Sequence, residues 1–146
     1  MKKVIVAFSL VLGFNLLSAQ AWNGTADQKV QIGLGAWGNG TGITGTYDYG
    51  ISNLLSVGAG ANLYFDNYKD NNKDNRFFIF GRLNAHLQEP LNLPEQWDVY
   101  PGVDLGLIGN TFGFGAHIGV RYFFNDKLGA FLEAGNNGSI GVSINL

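Results

Sequence analysis

From Val30 onward, apolar residues recur at every second position, the period of an extended strand with two unlike faces. One face reads Val30, Ile32, Leu34, Ala36, then Ile43, Tyr47, Tyr49, then Leu55, Val57, Ala59, Ala61, Leu63, Phe65. It continues through Phe77, Ile79, Leu83, Ala85, Leu87, through Val99, Val103, Leu105, Leu107, and through the even positions from Phe112 to Phe124. Leu128 to Ala134 and Ile140 to Leu146 complete the set, so the pattern predicts eight strands. The breaks carry turn chemistry: Gly38-Asn39-Gly40, Gly50-Ile51-Ser52-Asn53, Gly109-Asn110, Asn125-Asp126-Lys127 and Asn136-Asn137-Gly138. Strands joined by such short turns run antiparallel, and an even number of them brings both chain ends to one side.

Period alone does not say which face is inside, because a soluble lipocalin-like barrel has the same alternation with its apolar face inward. The composition of the second face is more telling. It holds Gly33, Gly35, Thr44, Thr46, Ser56, Gly58, Gly60, Asn62, Asn84, Gly102, Gly106, Gly113, Gly115, Gly119 and Gly129, with few charges. A water-facing surface is usually about a quarter to a third charged. Glycines instead suit the narrow lumen of an eight-stranded barrel, where large side chains need small ones across from them. The sequence therefore predicts an all-β, eight-stranded antiparallel up-and-down transmembrane β-barrel, aliphatic face toward lipid. Aromatics near segment ends (Tyr47, Tyr49, Phe65, Phe77, Trp97, Phe112, Tyr122, Phe124) match interfacial girdles. Phe78, Phe80 and Phe131 fall on the inward face, and Gly45, Gly81 and Pro101 on the outward one; Pro101 lacks a ladder donor, which predicts a bulge.

The chain opens on Lys2 and Lys3, an apolar run from Val4 to Leu17, and Ser18, Ala19 and Ala21, the layout of a secretory signal peptide cleaved after Ala19 or Ala21. Residues 22–146 then form one barrel domain. The leader takes two of the nine basic residues and none of the eleven acidic ones, moving the formal charge from −2 to −4, which disfavours a nucleic-acid partner. With no cysteine, neither a disulfide framework nor a lipoprotein anchor is available.

Hairpin register brings charges together on the inward face. A two-residue turn at Gly109-Asn110 sets Asp98 opposite Arg121, and the next turn sets Arg121 opposite Phe131 and diagonal to Glu133, so Arg121 is expected between two carboxylates. Pairing Glu89 with Trp97 makes Arg82 and Asp104 direct neighbours. Charges in a narrow lumen must be paired, so Arg82, Asp98, Asp104, Arg121 and Glu133 are read as a structural salt-bridge network. His86 and His117 also point inward, on strands separated by the fifth, an arrangement unsuited to shared metal ligation. No nucleophile stands beside a base at a rim, so neither an enzyme nor a cofactor is expected. Two connections are long: Gln88 to Gln96 on the side of the termini, and Asp66 to Asn75 on the far side, where Lys69, Lys73 and Arg76 are candidates for lipopolysaccharide phosphates.

Two stretches carry a resemblance: Leu93-Pro94-Glu95-Gln96-Trp97-Asp98-Val99-Tyr100-Pro101-Gly102, and the run from Gly119-Val120-Arg121-Tyr122-Phe123-Phe124 to Phe131-Leu132-Glu133. The chain resembles the small outer-membrane β-barrel proteins of Gram-negative bacteria, porin-like and eight-stranded. The resemblance implies an outer-membrane location, lipid and lipopolysaccharide as surroundings, the outer-membrane assembly machinery as a partner in biogenesis, and a monomer. Function is then expected to be a non-enzymatic envelope structural or interaction role, with a narrow passive channel or a soluble periplasmic ligand-binding barrel as alternatives.

Overall fold

Each predicted segment folds as a strand. In the computed structural model, which describes residues 19–38, 40–65 and 76–146, these are β1 (Gln28–Trp37), β2 (Gly42–Gly50), β3 (Leu55–Tyr64), β4 (Phe77–Ala85), β5 (Trp97–Ile108), β6 (Thr111–Phe123), β7 (Leu128–Gly135) and β8 (Gly138–Asn145). Every strand pairs antiparallel with the next, and β8 returns to β1 through Gln31↔Ser143 and its neighbours, so the sheet closes into a barrel in chain order. Closure gives every ladder a partner and leaves no edge strand. The leader's residues 1–18 lie outside the described residues, as do Lys69 and Lys73.

The hairpin registers follow the turn lengths. Ile108 faces Thr111 across Gly109-Asn110, and the same register carries Asp98 opposite Arg121 and Tyr100 opposite Gly119. Gly109 takes a φ of +58°, the first central position of a type II′ turn, which glycine occupies without a Cβ clash. Arg121 faces Phe131, and Arg82 faces Asp104, as expected.

The bulge expected at Pro101 is absent, since the β5–β6 register runs unbroken from Trp97↔Tyr122 through Pro101↔Ile118 to Ile108↔Thr111. The reason lies in which neighbour the proline nitrogen faces. Two residues earlier, and so on the same side of the strand, the Val99 carbonyl accepts from Leu87 N, so the Pro101 nitrogen points toward β4. The Leu87–Val99 bond beyond it keeps the register of Asn84↔Gly102, so the proline forgoes one donor toward this neighbour without shifting either register. The register shift occurs instead between β1 and β8, at Gly35 and Trp37.

The apolar face points outward. Ile32, Leu105 and Phe114 are 52%, 51% and 67% exposed, while every charged residue of the described strands (Lys29, Asp48, Arg82, Asp98, Asp104, Arg121, Glu133) lies on the inward face. Phe78, Phe80 and Phe131 are buried inside. The inward glycines make that possible: a Cβ on Gly33 would stand 2.8 Å from the Phe131 ring, and one on Gly60 2.5 Å from the Phe80 ring. The lumen is packed by side chains.

Candidate functional site

Arg121 anchors the lumen near the end that carries both termini. It is fully buried, and its Nη2 donates to Asp48 Oδ2 at 2.6 Å and to Gln31 Oε1 at 2.8 Å, while Nη1 lies 3.4 Å from Asp98 Oδ2. The guanidinium also covers the Tyr100 ring, 3.9 Å from its centroid. Arg121 thus sits between two carboxylates, as expected, but they are Asp98 and Asp48 rather than Asp98 and Glu133. Asp48 reaches it from β2, across the lumen from β6.

Arg82 forms the second node. Its Nη2 donates to Glu133 Oε1 at 2.7 Å, and its Nε lies 3.4 Å from Asp48 Oδ1, so Asp48 bridges both arginines. Tyr100 Oη donates to the same Glu133 oxygen at 2.9 Å. Asp104 is the strand neighbour of Arg82, yet its Oδ2 pairs with His117 Nδ1 at 2.9 Å, and Arg82 Nη2 meets His117 Nε2 at 2.9 Å. His117 Nε2 also lies 2.9 Å from Asn84 Oδ1, so the imidazole joins Asp104, Arg82 and Asn84. All five residues expected in the network are therefore in it, with Asp48, Gln31, Asn84, Tyr100, His86 and His117 as further members.

Closer to the terminal end stands an arrangement that the sequence reading missed. Ser56 Oγ is 2.8 Å from His86 Nε2, and His86 Nδ1 is 2.7 Å from Asp98 Oδ2, the order of a serine–histidine–aspartate relay. Surroundings decide what it can do. Ser56, His86 and Asp98 are each 0% exposed, and the Asp98 oxygen that orients the histidine is shared with Arg121. Asn84 Nδ2 donates to Ser56 Oγ at 3.3 Å. Ser56 Oγ is closed to solvent in this state, and the relay's hydrogen bonds tie together β3, β5 and the residue following β4. Burial first, then Arg121, holds the His86 pKa below its ordinary 6.5 against the opposing pull of Asp98. No periodicity could have signalled this cluster, because His86 and Ser56 meet only once β3 and β4 pair.

Trp22 closes that end. Its ring lies flat on His86, and its Nε1 donates to the Asn53 carbonyl at 2.7 Å. Ala21 N donates to the Glu95 carbonyl at 2.7 Å, tying the segment before β1 to the 88–96 connection. Lys29 is buried behind it, bonded to Asp27 Oδ2 and Asn145 Oδ1, both at 2.6 Å.

The opposite half of the lumen is packed less completely. A cleft lined by Asn62, Tyr64, Phe78, Phe80, Asp104 and Glu133, among others, descends from the rim to the Arg82 node, with an enclosed volume of about 40 Å³. Of the lipopolysaccharide candidates, only Arg76 is described; it is exposed, and its carbonyl accepts from Tyr64 N at 2.8 Å at this rim. Among the described residues, no group of histidines, cysteines and carboxylates is arranged to hold a metal ion.

A family model described as a family of unknown function (DUF6646) matches residues 11–140. No curated protein and no solved structure matches the chain.

Proposed function

The chain belongs to this family of unknown function, DUF6646, and from its inverted barrel we propose that it is a small integral outer-membrane protein with a non-enzymatic structural or interaction role in the envelope. One observation carries the proposal: charged strand residues face the lumen and large apolar ones face out, the reverse of a soluble ligand-binding barrel. Water is a poor solvent for such a wall, whereas hydrocarbon accepts it and asks only that the backbone be internally bonded, which closure provides. Strands of 8 to 13 residues suit the roughly 9–11 needed to cross a bilayer at a tilt. Arg82, Arg121, Tyr100 and Glu133 cross-link the lumen and argue against a standing channel.

The signal-peptide reading fits this proposal, and cleavage after Ala19 would keep the Ala21–Glu95 bond that cleavage after Ala21 would remove. Arg76, on the rim away from the termini, would then face the lipopolysaccharide layer, with Lys69 and Lys73 as the further proposed contacts, and the protein would act as a monomer after passing through the assembly machinery.

Fractionation tests the proposal. After carbonate extraction of envelopes, the mature protein is expected in the outer-membrane pellet, and in planar bilayers the purified protein is expected to be electrically silent. Release by carbonate would return the soluble barrel; stable open steps would return the channel.

A further inference from the structure

The rim cleft has an unbalanced set of polar atoms. Asn62 is 9% exposed, and its Oδ1 has no hydrogen-bond partner among the described residues; the same holds for Asp104 Oδ1, whose other oxygen is engaged by His117. Both residues line the cleft, and both orphan atoms are acceptors. Burying an acceptor without a donor costs about 1–3 kcal/mol, more for a carboxylate oxygen, so the cleft is complementary to a donor and preferentially to a cation. Glu133 adds a second carboxylate to the lining, with its Oε1 already bound by Arg82 and Tyr100.

The opposite wall is aromatic. Tyr64, Phe78 and Phe80 are buried together, with the two phenylalanine rings stacked at 4.8 Å. Aromatic faces attract a nearby cation and also receive an alkyl chain. Size narrows the class further. The enclosed part, about 40 Å³, exceeds the roughly 10–15 Å³ that a single water needs, yet it is far below the roughly 150 Å³ of a cavity that binds benzene. It suits an ammonium head, with its three donors, while the attached chain lies in the wider mouth.

We propose that the rim cleft is a binding site for a small primary alkylammonium, its head between Asp104 Oδ1 and Asn62 Oδ1 and its chain along Tyr64, Phe78 and Phe80. The site depends on the barrel's geometry and not on where the barrel resides. It is also blind: Glu133 and His117 of its lining are bonded to Arg82, and Glu133 also to Tyr100, which fill the lumen beyond, so the ligand enters and leaves by the same rim.

Titration of the refolded full-length mature barrel in detergent micelles with n-butylammonium chloride tests this, read by calorimetry and by the side-chain amide resonances of Asn62. Saturable binding is expected, with those resonances shifting in the unmodified protein. Asp104→Asn and Asn62→Leu should each weaken it by about tenfold or more, the loss of one hydrogen bond to a charged group. Glu89→Gln, outside the cleft, should leave it unchanged. Equal binding of n-butanol would make the cleft a plain apolar pocket, and equal binding of ammonium or potassium would remove the aromatic wall from the site; either overturns the proposal. Unmoved Asn62 resonances in the unmodified protein overturn it without reference to any variant.

Discussion

Trp22 and His86 lie face to face, with ring centroids 3.5 Å apart and planes 6° from parallel. The stack shuts the terminal end of the lumen over an imidazole that burial keeps neutral. As pH falls below about 6.5, the unfolded chain takes up a proton that the folded one resists. The stability contributed by His86 is therefore fully present above 6.5 and declines below it. Urea unfolding midpoints in vesicles should fall between pH 7.5 and 5.5, and His86→Gln should flatten that slope. An unchanged slope in the variant would assign the acid sensitivity to other groups.

Arg121 is the charge whose loss should cost most. Arg121→Met leaves Asp48 and Asp98 facing each other with less compensation, and breaking a buried ion pair on one side costs about 3–5 kcal/mol. Combining Arg121→Met with Asp48→Asn should recover part of the loss. Equilibrium unfolding of the three variants checks this, and strictly additive losses would contradict a shared network.

The two faces of β2 and β3 should respond oppositely to a larger side chain. Gly60 faces the lumen under Phe80, so Gly60→Val should destabilise by about 1–3 kcal/mol or block refolding. Gly45 faces outward, and the nearest atom to an added Cβ is Gln31 O at 3.9 Å, so Gly45→Val should change stability by less than about 0.5 kcal/mol. Refolding yield and heat-modifiable gel migration distinguish them.

Ser56 should be inert despite its relay. A fluorophosphonate probe applied to the folded protein is expected to leave Ser56 unlabelled, by mass spectrometry, because the hydroxyl is fully buried. Ser56→Ala should instead cost about 1–3 kcal/mol of stability by stranding His86 Nε2. Labelling of Ser56 in the native barrel would revive an enzymatic role.

Local registers were legible in the sequence and contacts across the lumen were not. The pairing Asp98↔Arg121 follows from a two-residue turn and a period of two, information held within a hairpin, whereas Arg82↔Asp104 followed only once Glu89 was set opposite Trp97 across the longer 88–96 connection. The Arg121–Asp48 bond spans 73 positions and depends on barrel closure and on the depth at which each side chain sits. Glu133 is a diagonal neighbour of Arg121 along the sheet, but its carboxylate turns to Arg82, because the lumen is narrow enough for facing walls to outcompete adjacent strands. Trp22 was unreadable for another reason: it precedes the alternating region, where no period assigns it a face. Pro101 was misread because its cost depends on which neighbour its nitrogen faces.

The inside-out wall is tested most directly by nitroxide labels on this cysteine-free chain. Labels placed singly at Leu105 and Phe114 on the outward face and at Lys127 in a turn, in protein reconstituted into vesicles, report exposure to oxygen and to a water-soluble nickel chelate. Leu105 and Phe114 should be accessible to oxygen and shielded from the chelate, with Lys127 the reverse. Chelate access at Leu105 and Phe114 equal to that at Lys127 would contradict a barrel set in hydrocarbon.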